Sequence, residues 1–317
     1  AKFTRRVLQG QVAGVFDPLG LCTPITAGLK LDLHDLCLRK LDWDDKVPQE
    51  LLDMWCNNME DIQQLREISF QRAVIPQDAL DTNIHLITAV DASSDIGVIA
   101  IYGRIKLKNE GYSCQLLLGR SKIVSGLTVP RAELKAAVIG AVSTDVVIKN
   151  MGKYFSDSIF ITDSTICLYW INQDDRPMKV AVRNAVVEVR RFTNPSQWYH
   201  VDSGDNIADL GTRRVEVSEI REGSEWHQGK TWMRLEQTEM PLKTVGDLTL
   251  TSEEKRLAAM ELKGKDIRGH TINTLTTRIA QRYSFSLYIL DPCRHTWSKT
   301  VRILGLVFKF IRLVKGR

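Results

Sequence analysis

The sequence has no run of apolar residues approaching the roughly 20 that a membrane-crossing helix needs. It has no Cys-x-x-Cys pair. Its six cysteines, Cys22, Cys37, Cys56, Cys114, Cys167 and Cys293, are scattered, which fits neither a disulfide framework nor a zinc finger and suits reduced thiols in an intracellular protein. Internal repeats and low-complexity stretches are missing. The N-terminus, AKFTRRVLQGQVAG, has neither a secretory pattern nor an initiating methionine, as expected of a piece cut from a longer chain. Charge of one sign is scarce as well. With 43 Lys and Arg against 38 Asp and Glu, the net +5 suits a polyanionic partner without requiring one. What is present, 44% apolar and 26% charged residues, is globular and excludes wholesale disorder. The 317 residues are enough for two ordinary domains or one large domain with extensions.

Three zones separate by pattern. Residues 1–80 read as mostly helical: Leu29, Leu31, Leu33, Leu36 and Leu38 lie in an apolar stretch closed by Arg39 and Lys40, and Pro48 opens a helix through Leu51, Leu52, Met54 and Trp55. Between them and the N-terminus, FDPLGLCTPIT (Phe16 to Thr26) reads as a loop because of its prolines and glycine. Residues 81–215 alternate strand and helix. Strands are expected at Asn83–Val90, Gly97–Ile105, Gln115–Leu118, Ser158–Thr162 and Gln197–Val201. Helices are expected after Thr128, with Pro130 in the first turn, from Ser164, and along the stripe Val182, Ala185, Val186, Val189. That order makes an α/β or α+β domain with a mixed sheet. Residues 216–317 open as a charged, glycine-containing linker, continue with helical stretches near 252–263 and 273–282, and end in the basic, apolar VRILGLVFKFIRLVKGR.

Four acids stand where a solvated surface would not put them. Asp91 ends the apolar strand ITAV and Asp163 ends IFIT, while Glu133 lies early in a helix among Ala132, Leu134, Ala136 and Ala137. Asp209 follows a Gly-Asp-Asn turn. Acids at the carboxyl ends of sheet strands are held in place by the strand while the tip opens to solvent. If those two strands are neighbours, Asp91 and Asp163 converge and the helix can deliver Glu133 between them. Several carboxylates in one place repel unless a divalent cation neutralises them, and two-metal phosphodiester hydrolysis is the chemistry that follows. Each acid alone is explained as well by a turn or a helix cap.

The words around these acids are specific. AVDASSDIGVIAIYGRI, GRSKIVSGLTVPRAELKAAVIG, FITDSTICLYWI and WYHVDSGDNIADLGTRR resemble the ribonuclease H segment of BEL/Pao-type LTR retrotransposon polyproteins. VFDPLGLCTPIT with LDWDDKVPQEL resembles the segment joining reverse transcriptase to ribonuclease H there, MKVAVRNAVVEVRRFT the helix before the last motif, and HTWSKTVRILGLVFKFI the stretch leading to integrase. The likeness is weakest at about 216–270. It implies a ribonuclease-H-like α/β fold, a mixed five-stranded sheet with flanking helices, plus helical N-terminal and C-terminal segments. It implies three parts: 1–80 as a connection segment, 81–215 as the ribonuclease-H-like domain, and 216–317 as a linker and helical region. The implied activity is endonucleolytic cleavage of the RNA strand of an RNA–DNA hybrid during reverse transcription. Two Mg²⁺ ions, or Mn²⁺ in their place, would be held by Asp91, Glu133, Asp163 and Asp209, with Asp91 touching both, Glu133 and Asp163 sharing one, and Asp209 holding the other. The implied partners are the hybrid and the reverse transcriptase and integrase portions of the same polyprotein, with no membrane and no small-molecule cofactor. The implied location is cytoplasmic, in a virus-like particle, or nuclear, and not secreted. No YxDD-type palm motif is present and no paired His and Cys with zinc spacing follows the tail; Cys293 and His295 lack partners.

Secondary candidates follow. His200, nine positions before Asp209, matches a mobile histidine that aids proton transfer or product release in related enzymes, or is a plain strand-end residue. Asn206 either bonds the hybrid backbone or forms a turn, and Ser93 and Ser164 either donate to phosphate or cap helices. Lys122 and Arg131 are candidate phosphate contacts or surface charge. Trp170 and Trp198 suit the core better than base stacking. The basic C-terminal stretch suits packing within a polyprotein, ahead of a nucleic-acid contact or a membrane surface. Two rival readings stand. Asp202-Ser203-Gly204 matches an aspartic peptidase triplet, a label the Pao family also carries, but charged Asp205 follows it and no second copy is present. The other rival is an inactive or domesticated fragment that binds nucleic acid or protein. A transposase-type site would want a glutamate where Trp198 and Tyr199 stand.

Overall fold

The computed structural model describes residues 3–65, 68–70, 73–109, 111–173, 178–221 and 223–262. The helix expected over 273–282, Cys293, His295 and the basic C-terminal stretch lie outside the described residues. Three helices come first: α1 (Arg5–Gly14), α2 (Thr23–Leu38) and α3 (Gln49–Gln64), packed around Leu8, Leu29, Leu36, Leu52 and Trp55. The loop read over Phe16 to Thr26 is shorter than its prolines suggest. Pro24 falls in the first turn of α2, where a missing N–H is no loss, and both Asp17 carboxylate oxygens accept N–H bonds, from Leu21 and Cys22, at 2.9 Å.

Then come β1 (Ile84–Ala92), β2 (Ile96–Lys106), β3 (Tyr112–Ile123), α4 (Val129–Met151), β4 (Phe155–Thr162), α5 (Thr165–Asn172), α6 (Val180–Phe192) and β5 (Trp198–His200). The strands form one mixed sheet in the order β3-β2-β1-β4-β5. The first three run antiparallel, β4 runs parallel to β1, and β5 runs parallel to β4. This is the five-stranded sheet with flanking helices that the resemblance implied.

Strand β2, IGVIAIYGRIK, is buried at every position but its last. A strand buried on both faces reads as a continuous apolar run and needs a covering layer on each side. Helices α4, α5 and α6 supply one layer, with Ala137, Ala141, Trp170, Val186 and Trp198 in its core. The other layer comes largely from outside 81–215: Cys22 at the N-cap of α2, Ile25 and Ala27 within it, and Val217, Ile220, Trp226, Met233 and Met240 from beyond the last strand, joined by Ile207 and Ala208. The Tyr102 hydroxyl donates to the Trp226 carbonyl at 2.7 Å, the Trp226 indole donates to the Leu21 carbonyl at 2.8 Å, and buried Arg104 donates to the Met233 carbonyl at 2.8 Å. Residues expected to form a linker from 216 onward are therefore packed on the sheet, through short turns and α7 (Glu225–Gln228), while α8 (Ser252–Met260) packs beside α5 on the helical layer. An apolar face carrying Val98, Ala100 and Tyr102 has to be covered, and within 81–215 the short turn bearing Ile207, Ala208 and Gly211 covers part of it. The five described cysteines are unpaired, and Trp170 and Trp198 are core residues.

Candidate active site

Strands β1 and β4 are parallel neighbours with Ala89 opposite Ile161, so the same register two residues on sets Asp91 beside Asp163 at their carboxyl ends. Thr128 occupies the N-cap of α4 in extended geometry but makes no side-chain cap bond, and Pro130 fills the first turn. Glu133 sits just over one turn in. The helix reaches the sheet closely because its inner face is small: a Cβ on Gly140 would lie 2.6 Å from a methyl of Val90, the residue before Asp91. Asp209 rides on a tight 3-10 turn, Ile207–Gly211. A Cβ on Gly211 would lie 2.6 Å from a methyl of Val98, the cross-strand partner of Asp91, so this turn is seated against β2 directly beside Asp91.

The electrostatics show that three of the acids share one environment. Burial, and then the charge of Asp163, push Asp91 up from 3.8 to about 6, against the opposing hydrogen bonds from Thr212 and the Ala92 N–H; Asp209 adds a smaller push. Glu133 is raised further, from 4.5 to about 8, by burial first; the Ser164 hydroxyl opposes this, and the charges of Asp163, Asp91 and Glu254 add to it. Each inner acid has a neutral donor and, among the described residues, no salt bridge to a cation. Ser164 donates to Glu133, Thr212 donates to Asp91 at 2.8 Å, and the Asn206 amide donates to Asp163 at 3.1 Å. Asp209 is different: its side chain is 53% exposed and lies 3.4 Å from the Arg213 guanidinium.

Among the described residues no three His, Cys, Asp or Glu side chains are arranged as a ready ion-binding group. The carboxylates point instead at the hydroxyl and amide donors just named, as mutually repelling acids do. The donor chemistry nevertheless fits a hard divalent cation, because the set is all oxygen and burial with like charge opposes ionisation until a cation offsets it.

The other candidates divide. Asn206 is buried and tied in, donating to the Val90 carbonyl at 3.0 Å as well as to Asp163, and its side-chain oxygen accepts the Ala208 N–H at 3.2 Å; it clamps the Asp209 turn onto β1 and β4. Ser164 caps α5, accepting the Cys167 N–H at 3.1 Å, while donating to Glu133. His200 is held on β5, with backbone bonds to Lys243 at 2.8 and 2.9 Å, and is not on a mobile loop. Its Nε2 meets the Asp163 carbonyl at 3.0 Å, so Nε2 carries the proton there, and its buried Nδ1 has no hydrogen-bond partner among the described residues. Ser93 shapes the β1–β2 turn, its Oγ accepting the Ile96 N–H at 3.3 Å. Lys122 lies on β3 opposite Gly97, which itself pairs with Ala92, so it stands at the same end of the sheet as Asp91. Arg131 does not face open solvent alone: it donates to Glu261 at 2.7 Å. Thr212 was not legible in the sequence, since its carboxylate partner is 121 residues away.

The peptidase triplet is far from such an environment. Asp202 is exposed and accepts from Lys243 at 2.7 Å, and that bond, with the Lys243 charge, holds its carboxyl below the usual range. A proton-sharing dyad needs a second carboxylate against the first, and the hydrogen bond Asp202 accepts comes from a cation instead. A cavity of about 580 Å³ lined by Leu21, Phe70, Val74, Cys114 and Leu116 lies against the second core and includes none of the candidate acids.

Residues 4–164 match the family model described as the Pao retrotransposon-like RNaseH-like domain. The chain belongs to this family. The matched region runs from the N-cap of α1 to the residue after Asp163, so it takes in the three N-terminal helices and the first four strands of this Pao-family chain. No curated protein matches this Pao-family chain. Solved structures with a similar fold include the N-terminal RNase H domain of a Mycobacterium tuberculosis protein, at 11% identity and TM-score 0.28, covering 41% of this chain and 94% of that one. Another is LC11-RNase H1, isolated from compost by a metagenomic approach and solved with an RNA/DNA hybrid, at 13% identity and TM-score 0.29, covering 40% and 91%. A third is the foamy viral protease-reverse transcriptase with double-stranded DNA, at 10% identity and TM-score 0.35, covering 62% of this chain and 35% of that one.

Proposed function

We propose that this chain is a retrotransposon ribonuclease H, a hydrolase that cuts the RNA strand of RNA–DNA hybrids endonucleolytically during reverse transcription. One observation carries the reading: Asp91, Glu133 and Asp163 converge at the carboxyl ends of adjacent strands, with burial and mutual repulsion raising Asp91 to about 6 and Glu133 to about 8. Such a cluster is costly unless something positive enters it. Asp91, Glu133, Asp163 and Asp209 would hold two Mg²⁺ ions, or Mn²⁺, which when bound activate the attacking water and stabilise the leaving oxygen.

The chain's own groups have separable tasks. Ser164 and Thr212 fix the orientations of Glu133 and Asp91 by hydrogen bonds that leave further carboxylate lone pairs open. Asn206 locks the turn that carries Asp209 onto the strand ends. His200, the candidate for proton transfer or product release, is held beside the site by its Nε2–H bond to the Asp163 carbonyl. Lys122, and Ser93 at the β1–β2 turn, border the same end of the sheet, where a phosphate backbone would pass. In this reading the partners are the hybrid and the reverse transcriptase and integrase portions of one polyprotein, in a cytoplasmic virus-like particle or the nucleus. Residues 1–80 then serve as the connection to the polymerase.

The test is cleavage of a labelled RNA–DNA hybrid with Mg²⁺ or Mn²⁺ by the chain and by its Asp163→Asn variant. Metal-dependent cutting of the RNA strand that the variant loses supports the reading. Hybrid binding without cutting in either metal would point to an inactive fragment instead.

A further inference from the structure

Helix α8 lies outside the sheet, yet both its acidic ends reach the rim of the candidate site. It is a nine-residue helix started by a capping box, in which Thr251 accepts the Glu254 N–H at 3.2 Å and Glu254 accepts the Thr251 N–H at 2.7 Å. The other Glu254 oxygen accepts from the hydroxyl of Thr165, next in the chain to Ser164, which holds Glu133. At the far end, Glu261 puts one oxygen, Oε2, between two cations. The Arg131 guanidinium lies 2.7 Å away and the Lys179 ammonium 3.9 Å away, and the Glu261 side chain is only 10% exposed. Arg131 is in the first turn of α4, two residues before Glu133, and Lys179 is the N-cap of α6. The Lys179 N–H also donates to the Glu261 carbonyl at 2.7 Å.

Two cations, mounted at the N-terminal ends of two helices and facing one anionic oxygen, make an arrangement that can receive a phosphodiester oxygen. Here an internal carboxylate fills it. The occupant is loosely mounted: of α8 itself, Ala258 alone is buried, with Leu257 partly buried beside it. A short helix held by few apolar contacts opens at low cost. We propose that Arg131 and Lys179 form a site for a backbone phosphate of the bound nucleic acid, and that Glu261 occupies it in the free protein, so that the hybrid must displace α8 to dock. This rests on the ribonuclease H reading. It also reconciles Arg131 as a phosphate contact with its place on Glu261.

The experiment measures hybrid binding by the full chain in the Asp163→Asn background with Mg²⁺, so that binding is read without cleavage. Glu261→Gln should tighten the dissociation constant about 5- to 10-fold, because the competent state no longer has to be won from the internal acid. Adding Arg131→Gln and Lys179→Gln should abolish the gain and flatten the dependence of log affinity on log salt by about one unit, the share of one phosphate. Hydrogen exchange on the chain without the Glu261 change should show residues 252–261 losing protection when hybrid is added. Unchanged or weaker hybrid binding by Glu261→Gln, or protection of α8 that stays or rises, overturns the proposal and leaves Glu261 as a structural ion pair. Inorganic phosphate that exposes α8 as readily as hybrid overturns the assignment to a nucleic-acid backbone. A folded chain that binds no hybrid in any of these forms overturns this inference and the ribonuclease H reading together; binding that ignores Glu261 overturns this inference alone.

Discussion

Asp91 and Asp202 are the same residue type in the same kind of place, at or just past the end of a strand in one sheet, and their surroundings drive them in opposite directions. Asp91 ends β1, the central strand, where layers on both faces strip away water and Asp163 stands alongside; it is raised to about 6. Asp202 follows β5, an edge strand; its side chain is 68% exposed and Lys243 holds it below the usual range. The difference is one of position in the sheet. A central strand end gathers acids from both sides and from the covering helix, whereas an edge strand end meets water and the nearest lysine.

The strongest way to break this contrast is activity. Asp163→Asn should lower metal-dependent hybrid cleavage by about a thousandfold, while Asp202→Asn should leave it within about twofold, as for a surface substitution away from the site. Equal losses in a cleavage time course would show that the two regions are not functionally distinct.

Next in size is pH. Asp91 and Glu133 have folded-state values raised from 3.8 and 4.5 to about 6 and about 8, so the fold favours their protonated forms. The stability they contribute is complete below about pH 4 and is lost as pH rises toward about 8. Thermal unfolding in EDTA should therefore weaken across that window, by on the order of a few kcal/mol. Glu133→Gln should flatten the upper part of the fall, and Mg²⁺ should reverse it. A wild-type curve that holds level from pH 5 to 8 in EDTA would contradict the shared burial of these acids.

A smaller effect sharpens the role of the neutral donors. Thr212→Val removes the hydroxyl that donates to Asp91, so the apparent Mg²⁺ affinity should fall about tenfold while Thr212→Ser retains it. Calorimetric Mg²⁺ titration of both variants reads this without relying on turnover. The smallest effect belongs to the exposed pair: Lys243→Ala should return the Asp202 carboxyl toward its ordinary range, seen by NMR titration, with no change in cleavage.

The strand and helix order was legible because each element carries its own period. NIHLITAV, GVIAIYGRI and SIFIT are β-rich runs, and the stripe of Val182, Val186 and Val189 is helical. The four acids were legible because an acid after an apolar strand, or inside an alanine-rich helix, breaks the local pattern. The covering of the second sheet face was only half legible. The unbroken apolar run of β2 signals a layer on both sides, but the chain that supplies it, Trp226 to Met240, is broken into short turns with no period to read. Arg131 looked like surface charge or a phosphate contact, because its partner Glu261 is 130 residues away.

Local chemistry in the sequence thus determined the elements, the identity and order of Asp91, Glu133, Asp163 and Asp209, and the mixed sheet, since propensity, periodicity and interrupted patterns act within a few residues. Tertiary structure alone decided that Asp91 and Asp163 share a register, that Thr212, Ser164 and Asn206 hold the acids, and that α8 reaches the rim. Those facts depend on strand pairing and on the close approach that Gly140 and Gly211 allow, and contacts between residues 31 to 130 positions apart leave no periodic trace in the chain.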